Sequence, residues 1–268
     1  MQTRSRSEAP SSAVYVAWQD PGTRQWHTIA RLAQVGTIYE FGFTRGAEAV
    51  KAVVKQLFNS NLGEHYVSSD LISVFRNKIP PRSRSDFPKL ASWLNLNGNE
   101  SDFEMLGKFG LIPGSDGIIV YSAPSVRNGR YAVEFFMHGI RHTHGEAGEY
   151  HRHGDVLKWC QTAKSGDRLF PLLDVQNDLD VNAIALRAEE STVLLGYVPR
   201  FYSTDLRTIL GRPECASTAE FQILRNNNDA PIQFRMLCRF TSMVPSDFQP
   251  LDDADHEMQP TLVPASLS

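Results

Sequence analysis

The chain has 268 residues, 41% apolar and 21% charged, with three cysteines and a net charge of −3. Such a composition excludes a disordered, collagenous or coiled-coil chain, and no apolar run reaches the roughly 18 residues that span a bilayer. Cys160, Cys215 and Cys238 form no CxxC pair, which fits a reducing, cytoplasmic setting and offers no disulfide frame or thiolate metal site. Charge is uneven. No Lys or Arg follows Arg239, whereas Asp247, Asp252, Asp253, Asp255 and Glu257 do, so residues 1–240 stand at +2. A mild excess of this kind permits nucleic-acid binding without implying it.

Residues 1–12 are rich in Ser, Arg and Pro, carry no apolar core of a secretory signal, and are expected to be disordered. A first block follows over 13–126. VYVAWQ alternates, DPGTR is turn chemistry, and WHTIARLAQ and TIYEFGFT continue as strands, giving a small antiparallel meander. AEAVKAVVKQLF has helical spacing, and LISVFRNKI, KLASWLNL and SDFEMLGKFG predict further helices, the last with Ser101 as N-cap. GIIVYSAP closes the block as a strand, and SVRNGR reads as a linker.

A second block spans 131–243. Strands are predicted at YAVEFFMHGIRH, RLFPLLDV, NAIALRA, VLLGYVP, TAEFQILRN and IQFRMLCRF, with helices at VLKWCQTAK and RFYSTDLRTILGR. Many short strands with two short helices in so few residues suggest a small closed or half-closed barrel. The whole is an α+β protein. Residues 246–268 lack periodicity, carry the acids, and read as an acidic disordered tail that either solubilises the chain or folds back on a basic site.

Three features bear on chemistry. Five of eight histidines fall in His138, His142, His144, His151 and His153. Imidazoles are zinc ligands, and His142 and His144 with His151 and His153 are the candidate set for a metal-dependent hydrolase or nuclease. HExxH is absent and HGEAGEYHRHG has loop composition, so a solvated loop and a nucleic-acid-facing role stand beside the metal reading. Arg76, Lys78, Arg82 and Arg84 form a run without acids, suited either to phosphates or to solvent. No GxSxG, P-loop or dinucleotide glycine fingerprint occurs, and Cys160 beside Trp159 reads as core, so neither catalytic residues nor a cofactor are expected.

The third feature is the turn Asn177-Asp178-Leu179-Asp180-Val181-Asn182-Ala183-Ile184, followed by Leu195-Gly-Tyr-Val-Pro-Arg200. With the strand ending at His138-Gly-Ile-Arg-His142, this pattern resembles the HIRAN domain over about residues 131–211. The resemblance implies an OB-like β-barrel that binds DNA and captures the 3′-hydroxyl end of a single strand. Carried over by position, Arg141, His142, Asn177, Asp180 and Tyr197 contact the DNA end, with Asn182 and Arg200 in the same motif. Leu179 stands where the family often has an aromatic residue, and Asp178 where it has proline, so weaker end discrimination is expected. Ile29-Ala-Arg-Leu, Tyr39-Glu-Phe-Gly-Phe-Thr and Asp102-Phe-Glu-Met-Leu-Gly-Lys-Phe-Gly resemble the N-terminal subdomain of HipA-type toxin kinases, over about 14–121. Together the two resemblances imply a bacterial, non-enzymatic DNA-binding protein with a module for a protein partner, acting in DNA repair, phage defence or toxin control.

Overall fold

A computed structural model describes residues 12–112, 117–140, 153–178, 180–188, 194–260 and 263–266. The chain divides into two compact units. One holds the described residues up to Pro80, Glu100–Ala123, and those from Asp253 on; the other holds Pro81–Asn99 and Pro124–Asp252.

In the first unit, β1 (Ser12–Gln19), β2 (Trp26–Val35) and β3 (Ile38–Phe43) form the expected meander. Asp20 sets the first turn, its Oδ1 accepting the Gly22 and Thr23 N–H groups at 2.7 and 3.3 Å. A 3-10 segment at Arg45–Val50 leads into α1 (Lys51–Phe58), which stops where Asn59 turns left-handed (φ 51°) and returns its N–H to the Lys55 carbonyl. β4 (Glu64–Ser68) and α2 (Ser73–Arg76) follow; α3 (Phe87–Trp93) belongs to the second unit, and α4 (Asp102–Phe109) returns to the first. α4 begins with a complete capping box: Ser101 Oγ accepts the Glu104 N–H, and Glu104 Oε2 accepts the Ser101 N–H. β5 (Ile118–Ser122) lies beside β1. The inner sheet face, α1, α2 and α4 enclose a core that includes Val16, Leu32, Phe41, Phe43, Phe75 and Leu106. Each such fully buried side chain stabilises the fold by roughly 1.5–3 kcal/mol.

The second unit opens with the hairpin β6 (Ser125–Arg127) and β7 (Arg130–Phe136). The segment read as a linker is therefore a hairpin turn, with Asn128 and Gly129 at φ 53° and 71°, as a tight two-residue connection requires. Then come α5 (His153–Thr162), β8 (Arg168–Leu173), β9 (Ile184–Ala188), β10 (Leu194–Tyr197), α6 (Arg200–Leu210), α7 (Pro213–Ala216), β11 (Glu220–Asn226) and β12 (Met236–Met243). The strands pair antiparallel in the order β10-β9-β8-β11-β12-β7-β6. Of the closed or half-closed OB-like barrel expected from the sequence, the closed form is not found among the described residues. One antiparallel bridge, His138 to Tyr197, links the continuation of β7 to β10. α6 buries Phe201, Tyr202, Asp205, Leu206 and Ile209.

The composition of 246–268 suggested a tail, but its described residues are structured. Leu251 is buried, and its N–H is held by both carboxylate oxygens of Asp205 at 3.0 Å. Farther on, Gln259 N–H donates to the Phe43 carbonyl at 2.9 Å, Met258 bridges to Thr44, and β13 (Val263–Ser266) pairs parallel with β4. The first sheet thus runs β13-β4-β3-β2-β1-β5. Among the described residues no helix is long and apolar enough to cross a membrane.

Candidate nucleic-acid interface

The Asn/Asp turn joins β8 to β9, and its polar side chains fold onto their own backbone. Asp174, at the end of β8, accepts the Gln176 N–H on Oδ1 and the Asn177 side-chain amide on Oδ2. Asn177 Oδ1 accepts the Asp180 N–H at 3.0 Å, and Asp180 Oδ1 accepts the Asn182 N–H at 2.9 Å. These are the short-range bonds that Asx residues make in preference to regular structure. The Asn182 amide then reaches Thr204 Oγ1 on α6 at 3.3 Å.

The turn is tied to β10 as well. Tyr197 donates its hydroxyl to Asp174 Oδ2 at 2.9 Å, and burial together with the Asp174 carboxylate pushes the phenol up to about 12. Tyr197 also exchanges both backbone hydrogen bonds with His138, at 2.9 and 2.8 Å. Two glycines make this junction possible. A Cβ on Gly196 would stand 2.6 Å from the His138 carbonyl oxygen, and one on Gly139 (φ 72°) would stand 3.1 Å from the Tyr197 ring. His138 packs edge-on to Phe201, and burial pushes its imidazole down to about 4.

Of the residues proposed from sequence, the structure brings together Asn177, Asp180, Asn182 and Tyr197. Arg200 opens α6 one turn before Thr204, on the same helix face, so it stands beside the turn; its side chain makes no hydrogen bond or ion pair among the described residues. Asp180 Oδ2 likewise takes no hydrogen bond from them, while Oδ1 is held by the turn. Around these polar atoms Leu172, Val175 and Val181 are exposed, the last two at 73% and 80%. The corner therefore offers a carboxylate oxygen and a guanidinium that are unpaired among the described residues, with bare apolar side chains: an acceptor, a cation and surface for a base or sugar. Sequence reasoning missed Asp174, which organises the corner. It was read as strand, although an Asp ending a strand before an Asn-rich turn is itself a turn signal.

Arg141, His142, Leu179, His144 and His151 lie outside the described residues, and His153 opens α5 with no account of its side chain. Among the described residues no three His, Cys, Asp or Glu side chains are grouped to hold a metal. All three cysteines are buried free thiols, and burial pushes Cys160 up to about 11. The basic run spends its charge at home. Arg76 pairs with Asp70, Lys78 Nζ donates to the Ile118 carbonyl, Arg82 donates to the Gly98 carbonyl, and Arg84 forks onto Asp86.

No family model matches the chain, and no curated protein matches it. Two solved structures are similar to it. The human HIRAN domain of HLTF has a TM-score of 0.30 at 15% identity, over 44% of this chain and 81% of that one. A protein from Lactobacillus plantarum has a TM-score of 0.30 at 15% identity, over 42% of this chain and 97% of that one. The resemblance of the first block to HipA-type kinases rests on its residues alone.

Proposed function

We propose that the second unit binds DNA and receives the end of a single strand at the corner formed by Asp174, Asn177, Asp180, Tyr197 and Arg200. The observation that carries this reading is the presence at one corner of a carboxylate oxygen, on Asp180, and a guanidinium, on Arg200, that have no partner among the described residues. The carboxylate suits a terminal sugar hydroxyl, which donates a hydrogen bond, and disfavours a terminal phosphate by charge. The guanidinium suits a backbone phosphate. Val175 and Val181 give a nucleobase an apolar surface where the aromatic residue of the HIRAN pattern is replaced by Leu179. Arg141 and His142 complete the set by sequence position, the first toward phosphate and the second toward the terminal base. The first unit is a module for a protein partner or for regulation.

The experiment is an oligonucleotide panel on the full chain, varying strandedness, 3′-hydroxyl against 3′-phosphate, and salt. The expected result is preference for single strands with a 3′-hydroxyl, and affinity that falls with salt as phosphate contacts release counterions. Equal binding of all ends and salt-independent affinity would overturn it.

A further inference from the structure

The outer face of the first sheet carries a transverse row. Tyr121 pairs with Tyr15, Tyr15 with Arg31, Arg31 with Gly42, and Gly42 with His65, so five residues on five strands share one face. The C-terminal segment crosses this row. His256 stands edge-on to Tyr15 and takes the Tyr121 hydroxyl at 2.8 Å, while the Met258 methyl lies over Gly42, 2.8 Å from where a Cβ would stand. Beside Met258 a cavity of about 170 Å³ remains, lined by Arg31, Gly42, Glu64, His65 and Gln259 among others.

Arg31 and His65 are two donor-bearing side chains that line this cavity. Arg31 is partly buried, yet its guanidinium makes no hydrogen bond or ion pair among the described residues, and the same holds for His65. The acid beside them is committed elsewhere. Glu64 accepts from Asn61 at 2.7 Å and from the Tyr66 hydroxyl, and these bonds hold its carboxyl below the usual range. Gln259 gives its amide to Glu48 at 2.9 Å. A guanidinium brings five donors, and part-burying it without a bonded partner is costly. Met258 and the edge of the His65 ring cover the glycine between Arg31 and His65, and the cavity lies beside them.

We propose that this cavity binds a phosphate group, either the free ion or the terminal phosphate of a larger molecule. Size argues for a small ligand: the volume is below the ~300–1,000 Å³ of ligand clefts, yet large against the roughly 30 Å³ of one water. Shape argues for a tetrahedral one. Arg31 and His65 project from strands two apart, about 10 Å between backbones, and approach from opposite sides. A planar carboxylate satisfies the guanidinium fork on one edge only, whereas phosphate has oxygens left for the imidazole.

Calorimetry and thermal melting of the full chain at fixed ionic strength test this, with inorganic phosphate as probe and acetate as control. Phosphate should bind and raise the melting temperature, acetate should do neither, and Arg31→Gln should weaken phosphate binding about tenfold or more, as expected from losing one charge-assisted contact. His65→Asn is the second variant, used if Arg31→Gln does not fold, and it should also weaken phosphate binding. A dinucleotide with a 5′-phosphate, set against the same dinucleotide with a 5′-hydroxyl, separates the sources. Competition by the phosphorylated form alone admits a terminal phosphate, and binding of inorganic phosphate without such competition restricts the site to the free ion. Equal response to phosphate and acetate, or unchanged phosphate binding in both variants, would overturn the proposal.

Discussion

Tyr197 donates its hydroxyl to Asp174 at 2.9 Å and so fastens the last residue of β10 to the residue just after β8. Between them β9 runs antiparallel to both strands, so one side-chain bond locks the corner that the Asn/Asp turn builds. Tyr197→Phe should destabilise the chain by about 1 kcal/mol, the ordinary net worth of a hydrogen bond. The phenol is raised from 10 to about 12, so its neutral form is the stabilised one. That stabilisation is complete below pH ~10 and is lost as pH rises toward 12. Urea melts across this window should show a shallower decline for Tyr197→Phe than for the wild type.

His138 gives the opposite sign. Its imidazole is lowered from 6.5 to about 4 because burial disfavours the cation. The folded state therefore binds fewer protons than the unfolded chain between these values. Stability contributed by neutral His138 is present above pH ~6.5 and is lost as pH falls toward 4, with a slope of at most ~1.4 kcal/mol per pH unit. His138→Gln should flatten that slope. Proton NMR should show no titration of this ring near pH 6.5.

Asp180→Asn separates end recognition from turn structure, because the amide oxygen can still accept the Asn182 N–H. Melting temperature should stay within a few degrees, because the half-buried turn keeps its hydrogen bond. Preference for a 3′-hydroxyl over a 3′-phosphate should shrink more than overall affinity, since the charge that repels phosphate is gone. Loss of folding with no change in end preference would make the turn structural only.

Arg82→Ala combined with Arg84→Ala should leave the salt slope of DNA binding unchanged within one unit. Arg84 is neutralised by Asp86, and Arg82 is engaged at Gly98 and over the Phe87 ring. Arg200→Ala should reduce the slope by about one, as the loss of one phosphate contact requires. Filter binding across a salt series reads both.

His256→Ala should cost about 2–4 kcal/mol, because the ring is buried between Asp253 (Nδ1 to Oδ1, 2.7 Å) and Tyr121, whose hydroxyl also contacts Thr28 at 2.9 Å. Denaturant unfolding measures the loss.

Local pattern settled much of this protein from its sequence. Alternating apolar residues marked β1, β-rich runs marked β2, β8, β9 and β12, and Ser101 as an N-cap marked the start of α4, because strands and helix caps are decided by residues a few positions apart. The Asn177–Asn182 turn was legible for the same reason, as Asx side chains bond to their own neighbours. What tertiary structure decided depends on partners distant in sequence. Residues 246–260 have no period of their own, yet Leu251 is fixed by Asp205 and His256 by Tyr121, contacts 46 and 135 residues apart. Of the closed or half-closed barrel expected from the short strands, the closed form is not found, since closure depends on ladder bonds between β7 and β10, and only His138 and Tyr197 supply them among the described residues. Asp174 became a site residue only when the sheet carried Tyr197 to it. Arg31 and His65 line one cavity only because β2 and β4 flank β3 in the sheet. No spacing in the chain encodes either meeting, because each is set by strand order and register rather than by neighbouring residues.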